Sequence, residues 1–201
     1  MLLLALCIGA GFATGDAAAK KKHKASVFSA SLSPNAAIPD RPATAQDIVV
    51  ASTVTVGKKF KGKTVGDVNV TGIRTTGSAT NAAQDLSFSI SPPNGKVVLL
   101  EGTALGGQNI GPLTLDDDTP TSICNDSTLS CTDPNATLIQ PFAGTANLLG
   151  LATGDTSPLS MLNGSQMRGT WTFRIWDNSN NGKTSTLNGW GLRITPERPV
   201  R

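Results

Sequence analysis

The chain has 201 residues, of which 15% are charged and 4% aromatic, with no Tyr, 21 Gly and 12 Pro. That length suits one domain with tails and can bury a core without metals or a dense disulfide frame. So little charge, with so much Gly and Pro, excludes a helical bundle or coiled coil.

The first segment, residues 1–19, reads as a signal peptide. Its apolar run from Leu2 to Ala10 is too short to span a bilayer, and Ala17-Ala18-Ala19 supplies the small residues a signal peptidase accepts. A lipid-modified Cys7 is the alternative, although such a Cys normally follows the apolar run. No other stretch is long and apolar enough to cross a membrane. Residues 20–29 form a basic linker. Lys20, Lys21, Lys22 and Lys24 hold the excess charge, so residues 25–201 are formally neutral although the whole chain carries +3. A nucleic-acid partner is therefore not expected. The Lys run is either a solvated spacer or a contact for an anionic cell envelope.

From about residue 30 the pattern is β. Ile48 to Val56 is β-branched and ends at Gly57, and Val68 to Thr71 alternates. Leu86, Phe88 and Ile90 alternate with Ser87, Ser89 and Ser91, the period-two mark of a strand with one apolar face. Pro92-Pro93-Asn94-Gly95 is a turn, and Val97 to Leu100 returns from it. The middle, about 102–165, reads as loop. Trp171, Phe173 and Ile175 then share one face, as do Trp190, Leu192 and Ile194, with a turn-rich link between them that predicts a closing hairpin. Parity places Trp171 and Trp190 in the core. The predicted fold class is all-β, a sandwich or jelly roll.

Cys124 and Cys131 sit in a loop-like segment. In an oxidising compartment they would close a small disulfide ring. A zinc site is the weaker reading, because the only His, His23, lies in the linker.

The same segments form a familiar series. Ala37-Ile38-Pro39-Asp40 leads into a β-branched strand. Asp85-Leu86-Ser87-Phe88-Ser89-Ile90-Ser91-Pro92 precedes a turn Gly and an apolar strand. Leu115-Asp116-Asp117 sits mid-chain. Gly169-Thr170-Trp171-Thr172-Phe173-Arg174-Ile175-Trp176-Asp177, Gly182 and Leu187-Asn188-Gly189-Trp190-Gly191-Leu192-Arg193-Ile194 close it. Residues 30–197 thus resemble the P domain (P/Homo B, the proprotein convertase P domain) of kexin- and furin-like subtilases and bacterial secreted proteases. The resemblance implies a jelly-roll β-sandwich of the galactose-binding-like kind. It also implies association with proteolysis by serine-type endopeptidases, and often structural calcium. Residues 119–140, with the Cys pair, look like a loop insertion, and 198–201 form a tail. Where the family often has a His, this chain has Gly72-Ile73-Arg74-Thr75-Thr76.

No catalytic domain accompanies this resemblance. One His in a linker and no nucleophile motif give no triad, so the chain is read as a non-enzyme. The expected role is that of a secreted stabilising or binding module, with a secreted protease or another extracellular protein in trans as partner. The alternative is a module that binds glycans or a cell surface.

Calcium is the candidate cofactor, since hard cations take several oxygens at once. Asp177, Ser179 and Asn181, followed by Gly182, match the first half of a calcium loop, but position twelve is Asn188 in place of the bidentate Glu. A polar turn explains the same residues. Asp116, Asp117 and Asp118 form a denser cluster, suited either to a cation or to solvent, and Asp85 and Asp155 would join only if the fold brings them near. Trp176 falls on the outward face by parity. It is either a platform for a sugar ring or partner, or a ring laid against a loop.

Overall fold

The computed structural model describes residues 26–43, 48–95, 97–102, 107–118 and 159–198. The expected signal segment, the Lys run, Cys124, Cys131, Asp155 and the 119–140 insertion lie outside the described residues. So does the tail beyond residue 198.

The strands in chain order are β1 (Phe28–Leu32), β2 (Ala36–Ile38), β3 (Val50–Val56), β4 (Val65–Gly77), β5 (Leu86–Ser91), β6 (Val98–Gly102), β7 (Ile110–Leu115), β8 (Gly169–Asp177) and β9 (Ser185–Pro196). One antiparallel sheet has the order β1-β9-β4-β7, with β2 also paired to β9. The other has the order β3-β8-β5-β6. The described chain is therefore all-β, two antiparallel sheets around one core in a β-sandwich-like arrangement. No described helix is long and apolar enough to cross a membrane.

Alternation explains which face each strand buries. Trp171, Phe173 and Ile175 of β8 and Phe88 and Ile90 of β5 point into the core from one sheet. Val70 of β4 and Trp190, Leu192 and Ile194 of β9 meet them from the other. Trp190 stacks on Phe173 with ring centroids 5.0 Å apart, and Phe173 stacks on Phe88 at 6.0 Å. Each buried indole finds a partner for its N–H. Trp190 Nε1 donates to Ser52 Oγ at 2.8 Å and Trp171 Nε1 to the Met167 carbonyl at 2.9 Å.

The tight turn at 92–95 joins paired strands as its residues predict, with Ile90 opposite Val98. The closing hairpin does not form. β8 pairs with β3 and β5, and β9 with β1, β2 and β4. The turn residues between the strands fix only a change of direction, and each strand takes its ladder partners from elsewhere in the chain, so the link crosses from one sheet to the other.

The middle segment also holds a strand that its composition hides. β7 contains Gly111 and Pro112, which read as breakers, but among the described residues it is the last strand of its sheet, where a missing N–H is tolerated. At the other end of the chain, β1 starts at Phe28, inside the expected linker. Phe28 packs edge-on against buried Phe60, with centroids 5.8 Å apart.

Gly111 is a required glycine. Its φ is +111°, and a Cβ there would sit 2.4 Å from the Ile73 carbonyl oxygen. A side chain meets both an unfavourable backbone region and fixed backbone of the neighbouring strand. Gly111→Ala is expected to lower stability by about 2–3 kcal/mol in urea denaturation. A change under about 0.5 kcal/mol would refute this account of the β4–β7 contact.

Candidate functional site

Two groups of carboxylates form at different places in the fold. The first surrounds the connection between β8 and β9. Asp177 ends β8, and Leu86 lies opposite it in β5, so the register brings Asp85 alongside. The Asn178 N–H donates to the Asp85 carbonyl at 2.7 Å. Asp40, just after β2, accepts the backbone N–H groups of Asn181 at 3.1 Å and Gly182 at 2.9 Å. Asp85 Oδ2 accepts Asn181 Nδ2 at 3.0 Å and Lys183 Nζ at 3.2 Å.

Asp177 is the unusual member of this group. It is 1% exposed. Its Oδ1 accepts the Ser179 N–H at 2.8 Å, but its buried Oδ2 has no hydrogen-bond partner. Burial pushes its carboxyl up to about 6, with the Asp85 and Asp40 charges adding to the rise against the Ser179 N–H and Lys183. Asp85 behaves oppositely. Burial opposes its ionisation, yet hydrogen bonds from Asn181, Ser179 and Lys183, with the Lys183 charge, hold it below the usual carboxylate range. Ser179 thus lies against Asp177, whereas Asn181 lies against Asp85 and Asp40. The structure adds Asp40, Asp85 and Lys183, which the loop pattern did not include. Asp85 belongs here and not with Asp116.

The second group lies on the β4–β7 side of the other sheet. Val70 of β4 pairs with Leu115 of β7, so the residues after Leu115 run beside Asn69 and Asp67. The ligand oxygens of Asp67, Asp116 and Asp118 all lie within 4.8 Å of one another. Among the described residues this is the one set of three or more acidic, Cys or His side chains that meets so closely. Asn69 Nδ2 donates to Asp116 Oδ2 at 2.8 Å. Asp117 departs from the expected trio, since its Oδ2 accepts the Ser160 N–H at 2.6 Å. Burial raises the Asp67 carboxyl, as do the Asp116 and Asp118 charges, while Arg193 and a backbone hydrogen bond from Val68 pull it down.

Asp67 and Asn69 are the residues that sequence reading missed. Their two-residue spacing puts them on one strand face, which was legible. That β7 pairs beside them was not, because β7 itself reads as loop.

Trp176 does not offer a binding face, which corrects the expectation of an outward platform. It is fully buried, and its Nε1 donates to Asn178 Oδ1 at 2.7 Å. The reason is local. Asn178 folds back over the strand and also donates its Nδ2 to Ser87 Oγ, so the loop after β8 engages both residues.

An open polar cleft lies elsewhere, with a volume of about 560 Å³. Asn35, Arg74, Thr76, Asn109 and Asn188 are among its lining residues.

No protein-family model matches the chain, and no curated protein matches it.

Proposed function

We propose that this chain is a secreted, non-catalytic module of the P/Homo B kind. It stabilises or binds a subtilase-type serine endopeptidase supplied in trans, and its sandwich has the jelly-roll arrangement of that family. The observation that supports this reading most is the position of its two most specific segments. Gly169–Asp177 becomes an interior strand of one sheet and Leu187–Ile194 part of an interior strand of the other, and their aromatics make the shared core. Calcium is the structural cofactor of this reading, and the two carboxylate groups are its candidate ligands.

The test uses the purified chain and a secreted subtilase that lacks a P domain of its own. The chain alone is expected to cleave no peptide substrate. Added to the protease, it is expected to co-elute and to lengthen the protease's half-life on heating. Absence of both effects would overturn the proposal.

The alternative is a glycan-binding module. It loses Trp176 as a stacking platform, and what favours it now is the cleft around Arg74 and Asn188, whose amides and guanidinium suit sugar hydroxyls. Binding on a glycan array that disappears in Arg74→Ala would favour this reading over the first.

A further inference from the structure

We propose that the turn carrying Lys58, Lys59, Lys61 and Lys63, with Arg168 beside it, is a docking surface for a linear polymer of repeating phosphates. Formal neutrality over residues 25–201 hides a local excess. Between Asp47 and Asp67 the sequence holds four Lys and no acidic residue. Lys58, Lys59 and Lys61 are exposed and Lys63 is partly buried. Among the described residues none of the four has an ion-pair partner within 4 Å. The carboxylate beside the turn is Glu197, whose Oε2 accepts the Thr64 hydroxyl at 2.8 Å, and Arg198 follows it. Arg193, and not a Lys of this turn, is the cation that pulls on Asp67.

The fold fixes this turn and brings further charge to it. Phe60 is fully buried, and Lys59 Nζ lies 5.0 Å from the centre of its ring. The N–H groups of Phe60, Lys61 and Lys63 donate to the carbonyls of Gly57, Lys58 and Phe60 at 3.2, 3.0 and 3.1 Å. The Met167 N–H donates to the Lys63 carbonyl at 3.0 Å, and Val56 of β3 pairs with Gly169 of β8, so Arg168 lies alongside. An anchored backbone presents the cations at a lower ordering cost than a loose loop. The second observation is where the other Lys run joins the fold. Phe28 packs against Phe60, at the centre of the turn, with centroids 5.8 Å apart. Lys24 precedes Phe28 by four residues, so the covalent chain keeps it within about 14 Å of that residue. The Lys20–Lys24 run is thus tethered beside the Lys58–Lys63 turn, although 33 residues separate Lys24 from Lys58 in sequence.

The chemistry favours phosphate over carboxylate polymers. Lys is a compact point charge that suits phosphate, whereas the Arg fork suits planar carboxylates, and four of the five cations are Lys. A bilayer fits less well, because stable attachment takes an apolar anchor as well as charge, and Phe60 is fully buried. A nucleic-acid strand also fits less well. Its bases stack on exposed rings, and no exposed large hydrophobic side chain among the described residues is aromatic. A polymer that repeats its charge can run across both Lys groups at once, and its phosphates would relieve the mutual repulsion within the turn. This inference does not depend on the protease association.

The experiment is calorimetric titration of the purified chain with long-chain inorganic polyphosphate, with thermal melting in parallel. Polyglutamate, a single-stranded oligonucleotide and phosphatidylglycerol vesicles are titrated separately at equal charge. Polyphosphate is expected to bind most tightly of the four and to raise the melting temperature. With about five phosphates neutralised, its affinity should fall roughly 100-fold between about 50 and 200 mM salt. The double variant Lys58→Gln/Lys61→Gln is expected to bind at least about tenfold more weakly, with a log–log salt slope shallower by about 1.4. Both side chains are exposed, so its melting temperature without polymer should match that of wild type, which separates lost binding from lost folding. Deletion of residues 20–24 should also weaken binding about tenfold. No binding of polyphosphate, or unchanged affinity in the double variant, would overturn the site. Tighter binding of polyglutamate, the oligonucleotide or the vesicles would overturn the assignment of its ligand.

Discussion

Trp190→Ala is expected to destabilise the protein by about 3–5 kcal/mol. Trp190 is 1% exposed and comes from one sheet, while Phe173, on which it stacks at 5.0 Å, comes from the other. Truncation removes a large apolar burial, leaves a cavity between two sheets that cannot collapse freely, and strands the Ser52 hydroxyl that accepts the indole N–H. Trp190→Phe keeps the ring but loses that hydrogen bond, and is expected to cost about 1–3 kcal/mol. Urea unfolding with a constant m value is the measurement. A loss under about 1.5 kcal/mol for the alanine variant would show that the aromatic stack is not the centre of the core.

The second large effect concerns pH. Asp177 titrates at about 6 in the folded chain against an ordinary value of 3.8. Between these values the native state holds a proton that the unfolded state has released, so stability falls as pH rises through this window. Below the lower value both states are protonated and the penalty is absent. Above the upper value the full penalty applies, on the order of 2–3 kcal/mol. The metal-free protein is therefore expected to melt at a lower temperature at about pH 7.5 than at about pH 5. The raised Asp67 carboxyl acts in the same direction. The lowered Asp85 carboxyl acts below its ordinary value, where its stabilisation is lost as pH falls. Asp177→Asn should remove most of the slope and raise stability at about pH 7.5. Melting curves that are flat over this range, or a slope unchanged in Asp177→Asn, would contradict the assignment.

Asp177 also shows why the first group was only half legible. Its spacing to Ser179 is local, so the turn geometry that joins them is visible in sequence. Asp40 and Asp85 are more than 90 residues away and arrive only through strand pairing. Trp176 was open for a related reason. Parity put it on the outward face, and of the two alternatives left there, a platform or a ring against a loop, only the tertiary structure chose the second.

What the sequence determined by itself was the class of architecture. Period-two alternation at Leu86 to Ser91, Gly169 to Asp177 and Leu187 to Ile194 depends on nearest neighbours alone, as does the turn at Asn94-Gly95, so strands and the burial of Trp171 and Trp190 follow directly. Only the tertiary structure decided which strands pair. It separated β8 from β9 into opposite sheets, revealed β7 as a strand, the last of its sheet among the described residues, despite Gly111 and Pro112, and carried Asp116 and Asp118 to Asp67 and Asn69. Those outcomes depend on which apolar faces can close one core together, a global condition that no local pattern contains.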